Sequence, residues 1–68
     1  RRGQAWAGTD RQCRGRLLAV LRETEGSVAR ARLEAAWHAE AQRDRALAGL
    51  VADQLVAERA DGRYSLPG

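Results

Sequence analysis

The chain has 68 residues, 44% of them hydrophobic, and its net charge is +3 from 12 basic and nine acidic side chains. That is room for one small domain and too apolar for a disordered tail, while no run approaches the roughly 20 apolar residues of a membrane span. There is no signal-peptide pattern, and one cysteine excludes an internal disulfide, so a reducing, cytoplasmic setting is expected.

Every basic residue is an arginine. With the many alanines, this is the usage of a GC-rich genome rather than a sign of arginine chemistry. The first residues, Arg1-Arg2-Gly3, include no methionine, as expected of a piece of a longer protein. Charge is unevenly placed. Residues 1–16 hold Arg1, Arg2, Arg11, Arg14 and Arg16 against Asp10 alone, whereas 17–68 hold seven arginines against eight acids. Positive potential is therefore expected in the N-terminal arm and first helix, over a nearly neutral body.

Residues 1–8 read as a linker or basic arm, and 9–68 as the folded domain. Thr9 and Gln12 have capping-box spacing, and Asp10 suits the positive end of a helix dipole. The first helix is expected over 10–24, burying Cys13, Leu17, Val20 and Leu21 with Leu18 alongside. Glu25-Gly26 ends it. Val28, isolated among polar or small residues, fits a short extended stretch. A second helix is expected over 30–37, with Leu33 and Trp37 on one face, and His38–Glu40 as a break. A third is expected over 41–54, with Arg43, Leu47, Leu50, Val51 and Gln54 inward or flanking the core.

The tail then changes period. Asp61-Gly62 between two short segments signals a hairpin with a two-residue turn in which both residues need positive φ. Such a turn pairs Ala60 with Arg63, Arg59 with Tyr64 and Ala57 with Leu66. Leu55, Ala57, Tyr64 and Leu66 would then share the face that closes over the helices. Three helices followed by a hairpin predict a mainly α winged helix-turn-helix, with the hairpin as wing.

Catalytic groups are few. One histidine and one cysteine cannot build a metal site, so no metal or cofactor is expected in this stretch. His38 reads as a solvated histidine, and Cys13 as a small buried hydrophobe rather than a reactive thiol. Glu23, Glu25, Glu34, Glu40 and Asp44 read as an ion-paired surface, not as an acid–base pair. The glycines form no phosphate-binding loop in the required strand–turn–helix context. No active site is predicted.

Binding is the other possibility. In a helix-turn-helix the outward side of the third helix enters the major groove, and reading bases takes long polar side chains. Here only Arg45 and Gln42 qualify. Ala48, Gly49 and Ala52 make a small, flat surface suited to backbone contact or protein docking. In the wing, Arg59 and Arg63 are offset by Glu58 and Asp61. Trp37 is expected in the core. Trp6 is read as packing on the domain, with stacking on a base as the alternative.

The run Trp6-Ala7-Gly8-Thr9-Asp10-Arg11-Gln12-Cys13-Arg14-Gly15-Arg16-Leu17-Leu18 resembles the stretch after the iron–sulfur segment of actinobacterial-type A/G-specific adenine DNA glycosylases. So do Ala41-Gln42-Arg43-Asp44-Arg45-Ala46-Leu47 and Asp61-Gly62-Arg63-Tyr64-Ser65-Leu66-Pro67. The resemblance covers nearly the whole chain. It implies a longer enzyme that removes adenine mispaired with oxidised guanine, using catalytic carboxylates and a 4Fe-4S cluster upstream. No position here matches those carboxylates or the cluster cysteines, and Cys13 is not read as a ligand. The chain also lacks the length and the Glu-rich motif of the larger C-terminal domain of many members.

The expected function is therefore a non-catalytic module of such a glycosylase, aiding it through weak, non-specific contact with duplex DNA. Candidate contacts are Arg1, Arg2, Arg11, Arg14, Arg16 and Arg45. One alternative is a structural or docking module that packs on the catalytic domain or a partner through Ala48, Gly49 and Ala52. Another is the DNA-binding segment of a winged-helix transcription regulator. A monomer with no membrane association is expected.

Overall fold

The structure, a computed structural model, describes residues 8–67. Three helices, α1 (Asp10–Glu23), α2 (Arg30–Ala36) and α3 (Glu40–Ala52), precede an antiparallel hairpin of β1 (Ala57–Glu58) and β2 (Tyr64–Ser65). This is the winged-helix-like order that the sequence predicts. Helix limits fall within two residues of those expected. Trp6 lies outside the described residues.

Helix α1 starts where its capping box dictates. Thr9 Oγ1 accepts from the Gln12 amide at 3.0 Å, and Gln12 Oε1 accepts from the Thr9 amide at 2.7 Å. Two otherwise unpaired amide groups are thereby satisfied. One face of the helix then buries Cys13, Leu17, Val20 and Leu21, as the three-and-four spacing predicts. Leu33 of α2 and Ala46, Leu47 and Leu50 of α3 pack against it, and Val28, Val56 and Tyr64 close the core. Each fully buried leucine contributes about 2 kcal/mol of apolar burial. Trp37, expected in the core, is half-buried at its edge.

Val28 is held as a third, one-residue strand. It exchanges two backbone hydrogen bonds with Tyr64, at 2.7 and 2.9 Å, so the wing is tied to the α1–α2 loop.

Two features of the tail differ from expectation. Helix α3 ends in a Schellman motif: the Gln54 amide donates to Val51 O and the Leu55 amide to Leu50 O. Gln54 takes φ +64° and is exposed rather than flanking the core. That reversal turns Leu55 outward, 46% exposed, and sends Val56 into the core at 2%.

The hairpin also closes differently. Gly62 N donates to Arg59 O and Arg59 N to Arg63 O, so the loop is the three residues Ala60, Asp61 and Gly62. Only Gly62 has positive φ, at +85°. This is a type I turn followed by a glycine in the left-handed region, the usual three-residue solution. Asp61 instead accepts from the Arg63 amide at 3.0 Å, an Asx-type contact its short carboxylate favours.

The register becomes Ala57 with Ser65 and Glu58 with Tyr64, one residue from that of a two-residue turn. A one-residue slip exchanges the faces of a strand. Leu66 is accordingly 38% exposed and Ser65 is buried at 7%.

Candidate nucleic-acid interface

The three helices carry most of the arginines, and their partners sort them. Arg43 lies on the inward side of α3 and is 6% exposed. Its Nε and Nη2 donate to Asp44 Oδ1 at 3.3 and 3.2 Å, and its Nη1 donates to Trp37 O. Arg30, in the first turn of α2, donates to the same Asp44 oxygen at 2.6 Å, to Glu34 and to the Tyr64 hydroxyl. Its pKa is raised first by the Tyr64 hydrogen bond. One carboxylate therefore ties α2, α3 and, through Arg30, the wing. The Arg30–Asp44 and Arg30–Tyr64 contacts are long in sequence and no local pattern announces them.

A second network fixes the start of the domain. Gln42 Nε2 donates to Gly8 O at 2.9 Å and to Asp10 Oδ1 at 3.0 Å, while its Oε1 accepts from Trp37 Nε1. Arg45 pairs with the same Asp10 oxygen at 3.2 Å. The Gln42 hydrogen bond, then that of Arg45, lowers the Asp10 pKa. Gly8 takes φ +112°, and a Cβ there would stand 2.5 Å from the Gln12 Oε1 that completes the capping box. Glycine is required by both counts.

These contacts revise the list of candidate DNA-binding residues. Arg45 is exposed but bridged to Asp10, and Gln42 is engaged at the junction, so both long polar groups of the third helix are held by the domain itself. Arg14 is paired with Asp53 at 2.9 Å. Arg11 and Arg16 are exposed on α1 and make no ion pair among the described residues. Arg1 and Arg2 lie outside the described residues. Ala48 and Ala52 are exposed as expected, but Gly49 is half-buried, with Arg14 Nη1 4.0 Å from where a Cβ would stand. Arg14 thus covers one edge of the small-residue face.

Sequence reasoning passed over Arg22 and Arg32 and set Arg59 against Glu58; none of the three makes an ion pair among the described residues. The hairpin register decides the neighbours of Arg59: Glu58 shares a face with Tyr64, and Arg59 takes the opposite one with Ala57 and Ser65.

Cys13 is wholly buried, and desolvation, followed by the charge of Asp10, raises its pKa. Such a thiol is a poor nucleophile and ligand. No group of three or more histidine, cysteine, aspartate or glutamate side chains among the described residues could hold a metal ion. No helix among them is long and apolar enough to cross a membrane.

Fold and arginine placement define a winged-helix-like module with exposed arginines on α1 and the wing and a small-residue outer face on α3. Along its full length the chain is homologous to one segment of adenine DNA glycosylases. It is 62% identical over 69 aligned residues to the adenine DNA glycosylase of Mycobacterium tuberculosis, in strains CDC 1551 and H37Rv alike. To that of Mycolicibacterium smegmatis it is 55% identical. The chain spans only 23–24% of the length of these relatives. The resemblance carried by residues 6–18, 41–47 and 61–67 is thus borne out. No family model and no solved structure matches the chain.

Proposed function

We propose that this chain is a non-catalytic module of an adenine DNA glycosylase acting on adenine mispaired with oxidised guanine, and that it helps hold duplex DNA by weak contact with phosphates. The observation that carries the reading is the 62% identity along the whole chain to part of proteins so named. The exposed arginines of α1 support the mode of contact. Arg11 and Arg16 follow Arg1 and Arg2 within the first 16 residues of the sequence, and phosphate contacts of this kind are indifferent to sequence and weakened by salt. The tether to the rest of the enzyme makes a weak contact count, because it raises local concentration.

A structural or docking role is the second reading. Its support is the outer face of α3, where Ala48 and Ala52 are exposed and the two long polar side chains, Gln42 and Arg45, are bound within the domain.

The test compares full-length enzyme with enzyme lacking this segment, on a duplex carrying adenine opposite oxidised guanine. A DNA-holding module gives unchanged single-turnover excision at saturation and weaker duplex binding without it, the difference vanishing at high salt. Equal duplex binding with and without the segment at low salt would remove the DNA role in favour of docking.

A further inference from the structure

We propose that the concavity between the last turn of α1, the α1–α2 loop and the hairpin is a phosphate-binding site for the backbone of duplex DNA. It rests on the DNA-contact reading and deepens it by assigning a contact outside the arm and the start of α1. Arg22, Thr24, Gly26, Ser27, Arg59 and Ser65 line it, between the apolar walls of Leu21 and Leu66.

Three observations converge on an anion. First, Arg22 and Arg59 make no ion pair among the described residues, and no carboxylate lines the concavity. Glu58 adjoins Arg59 on other parts of the wing surface but is paired with Tyr64 and is not among the walls of this concavity. The exposed Glu23 and Glu25 are neighbours in sequence but are not among its walls.

Second, Ser65 is only 7% exposed, and its hydroxyl has no hydrogen-bond partner among the described residues. A buried hydroxyl left unpaired is costly, and an anionic oxygen in the concavity would accept its proton.

Third, the Thr24 hydroxyl is engaged in donating to Val20 O, but that of Ser27 is held in place for the same task. Arg63 donates from Nε to Ser27 Oγ at 2.8 Å and from Nη2 to Ser27 O at 2.9 Å. Ser27 Oγ is thus an acceptor towards Arg63 and keeps its own proton to donate. Arg63 is a positioning residue that fixes the loop to the wing. Two guanidinium groups and two hydroxyl donors around one cleft match the oxygens of a phosphate.

The polyanion, rather than a free phosphate, follows from α1. Arg11 and Arg22 are separated by three helical turns and so lie on the same side, about 16 Å apart along the axis. Gly15 lies between them with open space in front of it. A nucleic-acid backbone reaches both ends of this stripe with one molecule. A single phosphate does not.

The experiment is an amide-resolved NMR titration of the 68-residue chain with a 12-base-pair duplex and, separately, with inorganic phosphate. Salt-dependent affinities are measured alongside for wild type, R22Q/R59Q and S65A. The expected result is duplex-induced shifts at Arg22, Ser27, Arg59 and Ser65. With R22Q/R59Q these vanish, and the log–log salt slope becomes shallower by about 0.9, the loss of one phosphate contact. S65A weakens binding with the slope unchanged.

Shifts confined to the Arg11–Arg16 turn, with R22Q/R59Q binding as wild type does, would overturn this site and leave the DNA-contact reading standing. No duplex-induced shift anywhere would overturn both. Shifts with inorganic phosphate but not with duplex would overturn the assignment to a nucleic-acid backbone.

Discussion

Replacing Asp44 by alanine tests how the domain is held together. Asp44 Oδ1 accepts from three guanidinium nitrogens, at 2.6 Å from Arg30 and at 3.3 and 3.2 Å from Arg43. The two ion pairs are unequal. The side chains of Arg30 and Asp44 are each 42% exposed, so that pair is screened by water and worth no more than about 1 kcal/mol. The Arg43 side chain is 7% exposed, and D44A would leave its charge with Trp37 O as sole acceptor among the described residues. Breaking a fully buried pair costs about 3–5 kcal/mol, and the half-exposed carboxylate here brings that down to about 2. Alanine returns about 0.5 kcal/mol of helix propensity.

The net expectation for D44A is a loss of about 2–3 kcal/mol, out of the roughly 3–10 available to a domain of this size. The assay is urea and thermal unfolding followed by circular dichroism, where the loss would appear as a fall in melting temperature of about 10–20 °C. Because the cost is assigned to a stranded guanidinium, R43M should restore most of the stability of D44A, its unbranched stem filling the same space without charge. A D44A loss below about 0.5 kcal/mol, or a double variant no more stable than D44A alone, would refute the reasoning.

Three further outcomes follow from the same contacts. Q54G should stabilise the domain by about 0.5–1 kcal/mol, because Gln54 sits at φ +64° at the end of α3, where glycine avoids the Cβ clash; a lower melting temperature would contradict it. T9A should cost about 1 kcal/mol by removing the capping acceptor of the Gln12 amide, read as a lower urea midpoint with unchanged slope. The Cys13 thiol has a pKa raised in the folded state above the ordinary value of 9.0, so folding favours its neutral form. Its contribution to stability is complete below the unfolded pKa and lost as pH rises through the folded one; unfolding midpoints should fall above about pH 9, and C13A should flatten that fall.

The helices were legible because each is announced locally. Thr9 and Gln12 mark the start of α1, and the spacing of Cys13, Leu17, Val20 and Leu21 marks its buried face. The tail was less legible for a stated reason. An Asp-Gly pair serves both a two-residue turn and the last two positions of a three-residue one, and choosing between them moves every side chain of the strand. The choice is made by Gln54, whose left-handed conformation no glycine or asparagine advertises, and by the two hydrogen bonds that dock Tyr64 on Val28. The arginines were legible as charge but not as free or paired, since Arg14–Asp53 and Arg45–Asp10 join residues more than thirty positions apart.

That sorting of the arginines bears on which side of the module would meet a polyanion. Arg32 of α2 is exposed and makes no ion pair among the described residues, but Arg30, Arg43 and Arg45 all end on carboxylates, and the outer face of α3 offers Ala48 and Ala52 beside Glu40 and Asp44. A helix so furnished has little to offer either bases or phosphates. On α1 and the wing, Arg11, Arg16, Arg22 and Arg59 keep their charge available, because Arg14 alone takes Asp53 and the hairpin register pairs Glu58 with Tyr64. The near-neutral body expected from the sequence is thus neutral by summation and polar in arrangement. A helix-turn-helix usually presents its third helix to DNA; here the unpaired arginines lie on α1, α2 and the wing, so under the DNA contact proposed above the same fold would meet the backbone along α1 rather than α3.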